Sequence, residues 1–158
     1  MIRFRRRKVE QDKFDQIRRL GLFATLLPKE LRVVHGLLHE RRYSKGEVIF
    51  DEGEEGQALY IVFEGKVLIC RQGEPVAGHI ADVNAGGMFG ELALLDGSPR
   101  SAQARAGEDS VLAALARADF NSLVETHGAI ASKIALQLAR GLGQKLREHF
   151  VAMDARPL

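Results

Sequence analysis

Tryptophan is absent from the 158 residues, and aromatic side chains make up only 6%. Proteins that stack successive bases of single-stranded nucleic acid need an aromatic platform, and this chain has little to build one from. Cysteine occurs once, at Cys70, which excludes an internal disulfide. Its place in an apolar strand reads as a buried, inert thiol rather than a redox switch. No apolar run reaches the roughly 20 residues that a membrane-spanning helix needs. The basic start leads into Gln11-Asp12-Lys13 rather than an apolar signal-peptide core. A soluble protein in a reducing, cytoplasmic setting is expected.

Acids are also missing from residues 1–8, which hold Arg3, Arg5, Arg6, Arg7 and Lys8. The net charge of the whole chain is only +2, so the remainder is slightly acidic and forms no broad basic platform. The cluster reads as a basic N-terminal tail over residues 1–8. Solvation is its first explanation, and contact with anionic lipid, nucleic acid or an acidic partner is the alternative. Hydrophobic content of 46% supplies a core for one domain over residues 9–158.

Residues 9–20 place Phe14, Ile17 and Leu20 at helical spacing, and Gly21 can end that helix. Pro28 suits a first helical position, and Leu31, Val34, Leu37 and Leu38 form one stripe, which predicts a second helix over 28–40. From Tyr43 to about residue 116 short apolar runs alternate with glycine turns: EVIF, ALYIVF, KVLIC, PVAGHIADV, SAQARA and SVLAALA. About eight short strands of this kind predict a small antiparallel β-roll or jelly roll. Residues 117–126 read as a short helix with Asp119 as its cap. After Gly128 a long helix is predicted over 129–152, with Ile130, Ile134, Leu138, Leu142 and Leu146 every four residues. A strict four-residue step winds around the helix and defines no coiled-coil seam. Gly141 and Gly143 each weaken a helix by about 1 kcal/mol relative to Ala and allow close approach of a ligand or a partner helix. The fold class is therefore α+β, mainly β.

Between these parts lies the most informative stretch, Phe89-Gly90-Glu91-Leu92-Ala93-Leu94-Leu95 followed by Ser98-Pro99-Arg100-Ser101-Ala102. It joins a glycine turn, one acid, a short apolar helical piece and one arginine. Free N–H groups at a helix start near Glu91 attract an anion. Arg100 adds a forked, permanently charged donor for the same oxygens. Glu91 would repel a phosphate, so it is suited to accept from sugar hydroxyls instead. The set of parts suits a small ligand that carries both an anionic phosphate and a hydroxylated sugar.

This segment, residues 89–102, resembles the phosphate-binding cassette of cyclic-nucleotide-binding domains, the family of catabolite activator proteins, kinase regulatory subunits and cyclic-nucleotide-gated channels. The run KGEVIFDEGEEGQALYIVFEGKVLIC, with Gly46, Gly53, Gly56 and Gly65, is similar to the first strands of that family's β-roll. The resemblance covers roughly residues 20–150 and implies a receptor for cAMP or cGMP, with no other cofactor. It implies that Glu91 takes the ribose 2′-hydroxyl and Arg100 the cyclic phosphate. Gly90, Leu92 and Ala93 lie where the family supplies backbone contacts, with Ala102 closing the cassette. Ser101 has a hydroxyl for a phosphate oxygen or a purine edge and does not settle which base is bound. Ile80 and Val83 alternate on a strand and are candidates for the floor of the base pocket, although core packing explains them equally well. For the lid, the long C-terminal helix offers Arg140, Gln144 and Lys145. Where the activator branch reads adenine with a Thr-Ser pair, this chain has Lys145 and Leu146.

Little else in the chain suggests chemistry. His35 and His39 stand four apart on the predicted second helix, a metal-binding spacing, but no third ligand is evident. No nucleophile–base set has a recognisable context, so no catalytic residue and no enzyme is expected. The expected output is movement of the C-terminal helix, passed to a protein effector or to a second copy through that helix. The chain stops at Leu158 with no room for a helix-turn-helix; Met1 and Arg156-Pro157-Leu158 favour a small complete protein, and a piece of a larger parent chain that carries the output is the alternative. The alternatives are an interaction scaffold with the same fold that does not signal by ligand, and a DNA-associated regulator that uses the basic N-terminus.

Overall fold

The computed structural model describes residues 2–71 and 78–154. Met1, the Pro75–Ala77 start of the PVAGHIADV run and the last residues, Arg156-Pro157-Leu158, lie outside them. Among the described residues four α-helices, α1 (Ile2–Arg19), α2 (Pro28–Leu37), α3 (Arg117–Thr126) and α4 (Gly128–Asp154), flank eight strands. The strands are β1 (Leu38–Tyr43), β2 (Val48–Phe50), β3 (Ala58–Glu64), β4 (Lys66–Cys70), β5 (Ala81–Asn84), β6 (Met88–Phe89), β7 (Gln103–Ala106) and β8 (Ser110–Ala116). They form two antiparallel four-stranded sheets, ordered β1-β8-β3-β6 and β2-β7-β4-β5. This is the expected β-roll.

The roll follows from strands that bury both faces. On β3, Leu59, Ile61 and Phe63 join a core shared with the helices, while Val62 faces a second core inside the roll. β8 repeats the pattern, with Val111, Ala113 and Leu115 on the helix side and Leu112 inside the roll. The two-residue period of a strand sorts these side chains. The helices contribute Ile17, Leu31, Val34, Phe120, Leu123, Ile130, Ile134 and Leu138 to the outer core. At the β3–β4 turn only glycine fits, because Gly65 has φ +84° and a Cβ there would strike Ser110 and Asp109.

Four sequence expectations need correction. The first helix begins at Ile2, so the basic cluster forms the first turns of α1 instead of a separate tail. The second helix ends at Leu37, and Leu38–Tyr43 pairs with β8 from Leu38↔Leu115 to Tyr43↔Ser110. The charged LHERRY sequence suits the edge position that β1 occupies, where alternate pairings must be discouraged. His35 and His39 therefore stand on different elements. His35 meets the Phe14 ring edge-on at 5.8 Å, and His39 Nε2 lies 3.1 Å from Asp119 Oδ2. Asp119 does not cap α3, whose N-cap is Ala116; its carboxylate is engaged by His39 instead.

Two ion pairs tie the helices to the roll and to each other. Lys13 of α1 meets Glu40 of β1, and Lys133 Nζ of α4 donates to Glu30 Oε2 at 2.8 Å on α2. Glu30 also accepts from the Leu27 N–H at 2.7 Å, which satisfies a donor at the start of α2. The Lys133 hydrogen bond, then the Leu27 N–H, holds Glu30 below the usual carboxylate range, and the Lys13 hydrogen bond does the same for Glu40. Because both folded-state values are lowered, their stabilising effect is present at neutral pH and is lost as pH falls through the folded-state values. Thermal melts at neutral and acid pH are expected to show a smaller acid-induced drop in Tm for the Glu30→Gln, Glu40→Gln double variant than for the natural chain. An identical drop in both would show that these carboxylates contribute nothing to acid sensitivity.

Candidate functional site

The cassette is folded by its glycines. β6 ends at Phe89, and Gly90 turns left-handed at φ 74°, ψ 23° to start a short 3-10 turn over Glu91–Leu94. A Cβ at Gly90 would lie 2.6 Å from Arg100 Nη1, so glycine is required there by both conformation and space. The turn buries Ala93 and Leu94 against the core and leaves Leu92 about half exposed. The Ala93 N–H donates to Gly90 O at 3.2 Å. Among the described residues the N–H groups of Glu91 and Leu92 have no acceptor, so they remain the donors that this turn can offer. Beyond the turn, the Ser98 N–H donates to Asp96 Oδ1 at 3.0 Å. Hydrogen bonds from Ser98, chiefly its hydroxyl, hold Asp96 below the usual carboxylate range.

Arg100 is held by the loop opposite. Its N–H donates to Glu54 O at 2.7 Å, and its carbonyl accepts from the Gly53 N–H at 2.8 Å. The side chain is only 9% exposed. Nη2 donates to Ala58 O at 2.7 Å and Nη1 to Gly90 O at 3.3 Å, while the guanidinium lies 4.0 Å above the Phe50 ring. Nε is buried and has no hydrogen-bond partner among the described residues. Burial pushes the Arg100 pKa down, opposed by Tyr60 and Glu54, yet among the described residues no carboxylate forms an ion pair with it. A buried cation without a counter-charge is costly, and an anion placed beside it relieves that cost.

Beside Arg100 opens a cavity of about 480 Å³. Its lining brings together Gly90, Glu91, Leu92, Ala93, Arg100, Ser101 and Ala102, all expected from the sequence. The volume falls within the range of small-molecule sites, about 300–1,000 Å³. Ile80 and Val83 do not line it. Ile80 is 55% exposed and precedes β5, whereas Val83 packs into the core inside the roll opposite Val67. Ile69 of β4 supplies the apolar wall instead, with Phe50 and Phe89. Alternation along KVLIC was the signal available for Ile69, but its direction becomes clear only once β4 pairs with β5 and β7.

Of the three lid candidates, only Lys145 reaches the cavity, where it pairs with the largely buried Glu91. Gln144 donates to Glu148 at 3.1 Å along its own helix, and Arg140 is exposed. α3 is tied to the loop before β3, which flanks the cassette. The Arg117 N–H donates to Gln57 O at 2.7 Å, and Arg117 Nη2 donates to Glu55 Oε1 at 2.9 Å. The Arg117 guanidinium lies across Gly97, where a side chain would collide with it. Arg117, the first residue of α3, thus bonds the loop before β3 and abuts the cassette at Gly97, a contact that nothing in the local sequence announces. Among the described residues no three metal-ligating side chains converge, and no helix is long and apolar enough to cross a membrane.

Residues 40–127 match the cyclic nucleotide-binding domain family. The chain is 38% identical over 136 residues to the cyclic AMP receptor protein of Thermus thermophilus, covering 84% of this chain and 60% of that protein. It is 32% identical over 121 residues to a cAMP-dependent protein kinase regulatory subunit of Aspergillus niger, covering 77% of this chain and 28% of that subunit. The crystal structure of the Thermus thermophilus catabolite activator protein superposes with a TM-score of 0.75 at 37% identity, covering 85% of this chain and 62% of that one. The chain thus spans less than two thirds of the length of these relatives. The β-roll, the glycine-opened cassette with its buried arginine and these matches agree: the chain belongs to the cyclic nucleotide-binding domain family.

Proposed function

We propose that the chain is a non-catalytic receptor for a cyclic mononucleotide, cAMP or cGMP. The observation that carries this reading is Arg100: a buried guanidinium with an orphaned Nε and no acid partner among the described residues, facing a cavity of ligand size. A cyclic phosphate supplies the missing anion, while the Glu91 and Leu92 N–H groups serve its other oxygens. Glu91 accepts from the ribose 2′-hydroxyl once Lys145 yields one carboxylate oxygen. Phe50, Ile69 and Phe89 surround the less polar parts of the ligand. The reading places the chain in the cytoplasm, where the buried free thiol of Cys70 stays reduced.

Signalling follows from the two contacts at the cassette. Ligand that draws Glu91 from Lys145 changes the hold on α4, and movement of the cassette is passed through Arg117 to α3. Ligand shifts such an equilibrium only by the difference in its affinity for the two positions. A second reading, an interaction scaffold that does not signal by ligand, is favoured by the same Lys145–Glu91 pair, because there the cassette acid already has its partner.

The receiving surface is α4. The exposed Leu136, Leu146, Phe150 and Met153, with Ala139 and Gly143 between them, follow alternating steps of three and four residues. That is coiled-coil spacing on a face separate from the buried Ile130, Ile134 and Leu138, and its small residues allow close approach. A second copy of α4 is the occupant that fits a self-complementary seam of this kind.

Calorimetric titration with cAMP and cGMP in parallel is expected to show saturable binding of at least one. Arg100→Ala is expected to remove about 2–5 kcal/mol of affinity, as for truncating one partner of a buried charge-assisted contact. Undiminished binding by that variant would contradict the site, and no binding of either nucleotide by the natural chain would favour the scaffold. Sedimentation equilibrium is expected to show a dimer that the Leu146→Glu, Phe150→Glu double variant converts to monomer. A natural chain that stays monomeric at high concentration would rule out the seam.

A further inference from the structure

A groove of about 880 Å³ opens between the first half of α1 and α2, built from different residues than the cavity at Arg100. Arg3, Arg6 and Arg7 line it from α1, Arg32 and His35 from α2, and among the described residues Glu10 is the only acid in its lining. Phe14 also lines it, set edge-on against His35. Among the described residues none of the four guanidinium groups has a carboxylate partner, whereas Arg42, Arg117 and Lys133 are each paired.

The placement runs against helix stability. The first turn of α1 contains no acid, and its cations gather at the positive end of the helix dipole. Arg3 and Arg7 stand four apart, a like-charged pair on one face. Residues 2–12 are all exposed, so core packing does not account for the arrangement. A bound polyanion relieves the repulsion between the arginines and the clash with the dipole together.

We propose that this groove is a second anion site, for a soluble small ligand that carries adjacent phosphate groups. Several arginines converging from two helices match the forked geometry of phosphate oxygens. The groove is concave and has the volume of a small-molecule site, which separates it from a surface for duplex DNA. A membrane anchor needs one apolar face opposite its cations. On α1 the exposed Ile2 and Phe4 point to different sides, with cations all around them.

The test is calorimetric titration of the full chain with sodium tripolyphosphate at low ionic strength. Saturable binding of one ion per chain is expected. Arg7→Gln and Arg32→Gln are each expected to weaken it by about tenfold or more, as for the loss of a charge-assisted forked contact. Arg5→Gln removes the same charge from the same helix outside the groove, and a loss under about threefold is expected, as for a screened surface charge. Absence of saturable binding, equal losses in the Arg5 and Arg7 variants, or an unaffected Arg32 variant would overturn the proposal. So would tighter binding of duplex DNA or of phosphatidylglycerol vesicles that survives Arg32→Gln.

Discussion

The architecture around the cavity depends on one buried positive charge. Arg100 is fixed at its backbone by the loop of Gly53 and Glu54 and at its side chain by the carbonyl oxygens of Ala58 and Gly90. Phe50 and Tyr60 lie against its guanidinium at 4.0 and 5.9 Å. These groups hold the cation in place without neutralising it. Carbonyl dipoles and ring faces stabilise a guanidinium partially, and the remaining demand is for an anion. The features that surround it follow from that demand: a glycine where a Cβ would collide with Nη1, a turn with free N–H groups, and a cavity on one side.

The second organising feature is the pair of contacts that make the cassette part of the helical layer. Lys145 brings α4 to Glu91, and Arg117 brings the start of α3 to Glu55, Gln57 and Gly97. Both cations lie far in sequence from the groups they meet. These contacts place the cassette and the loop before β3 against the two helices that carry the outer face. The core beneath them, from Ile130 to Leu138 on α4, is closely packed. The second half of α4, which holds both Lys145 and the apolar seam, is by contrast largely exposed.

Much of this was legible in the residues because it is local. Gly90, Glu91 and Arg100 lie within one short segment, and a left-handed turn followed by an acid and an arginine has few structural uses. The alternating apolar runs gave the strands for the same reason. What failed depended on pairing over distance. LHERRY reads as a helix end until β8 is placed beside it, and Ile80 reads as cavity floor until the register of β5 against β4 sends that task to Ile69. Lys145 reads as a solvated helix residue because nothing local reveals that α4 folds back onto the cassette. The seam on α4 was hidden by the more conspicuous four-residue stripe, which is buried from Ile130 to Leu138 but shares the exposed Leu146 with the seam.

The central claim concerns the electrostatic environment of one side chain, so the most direct measurement watches that side chain. Two-dimensional ¹H–¹⁵N NMR resolves arginine Nε–H groups, and the Arg100 signal is assigned by its loss in Arg100→Lys. On titration with cAMP or cGMP the account predicts a large, saturable shift of this signal and slower exchange of its proton with water, as an anion takes up the orphaned donor. An Arg100 signal that stays in place while either nucleotide binds would contradict it.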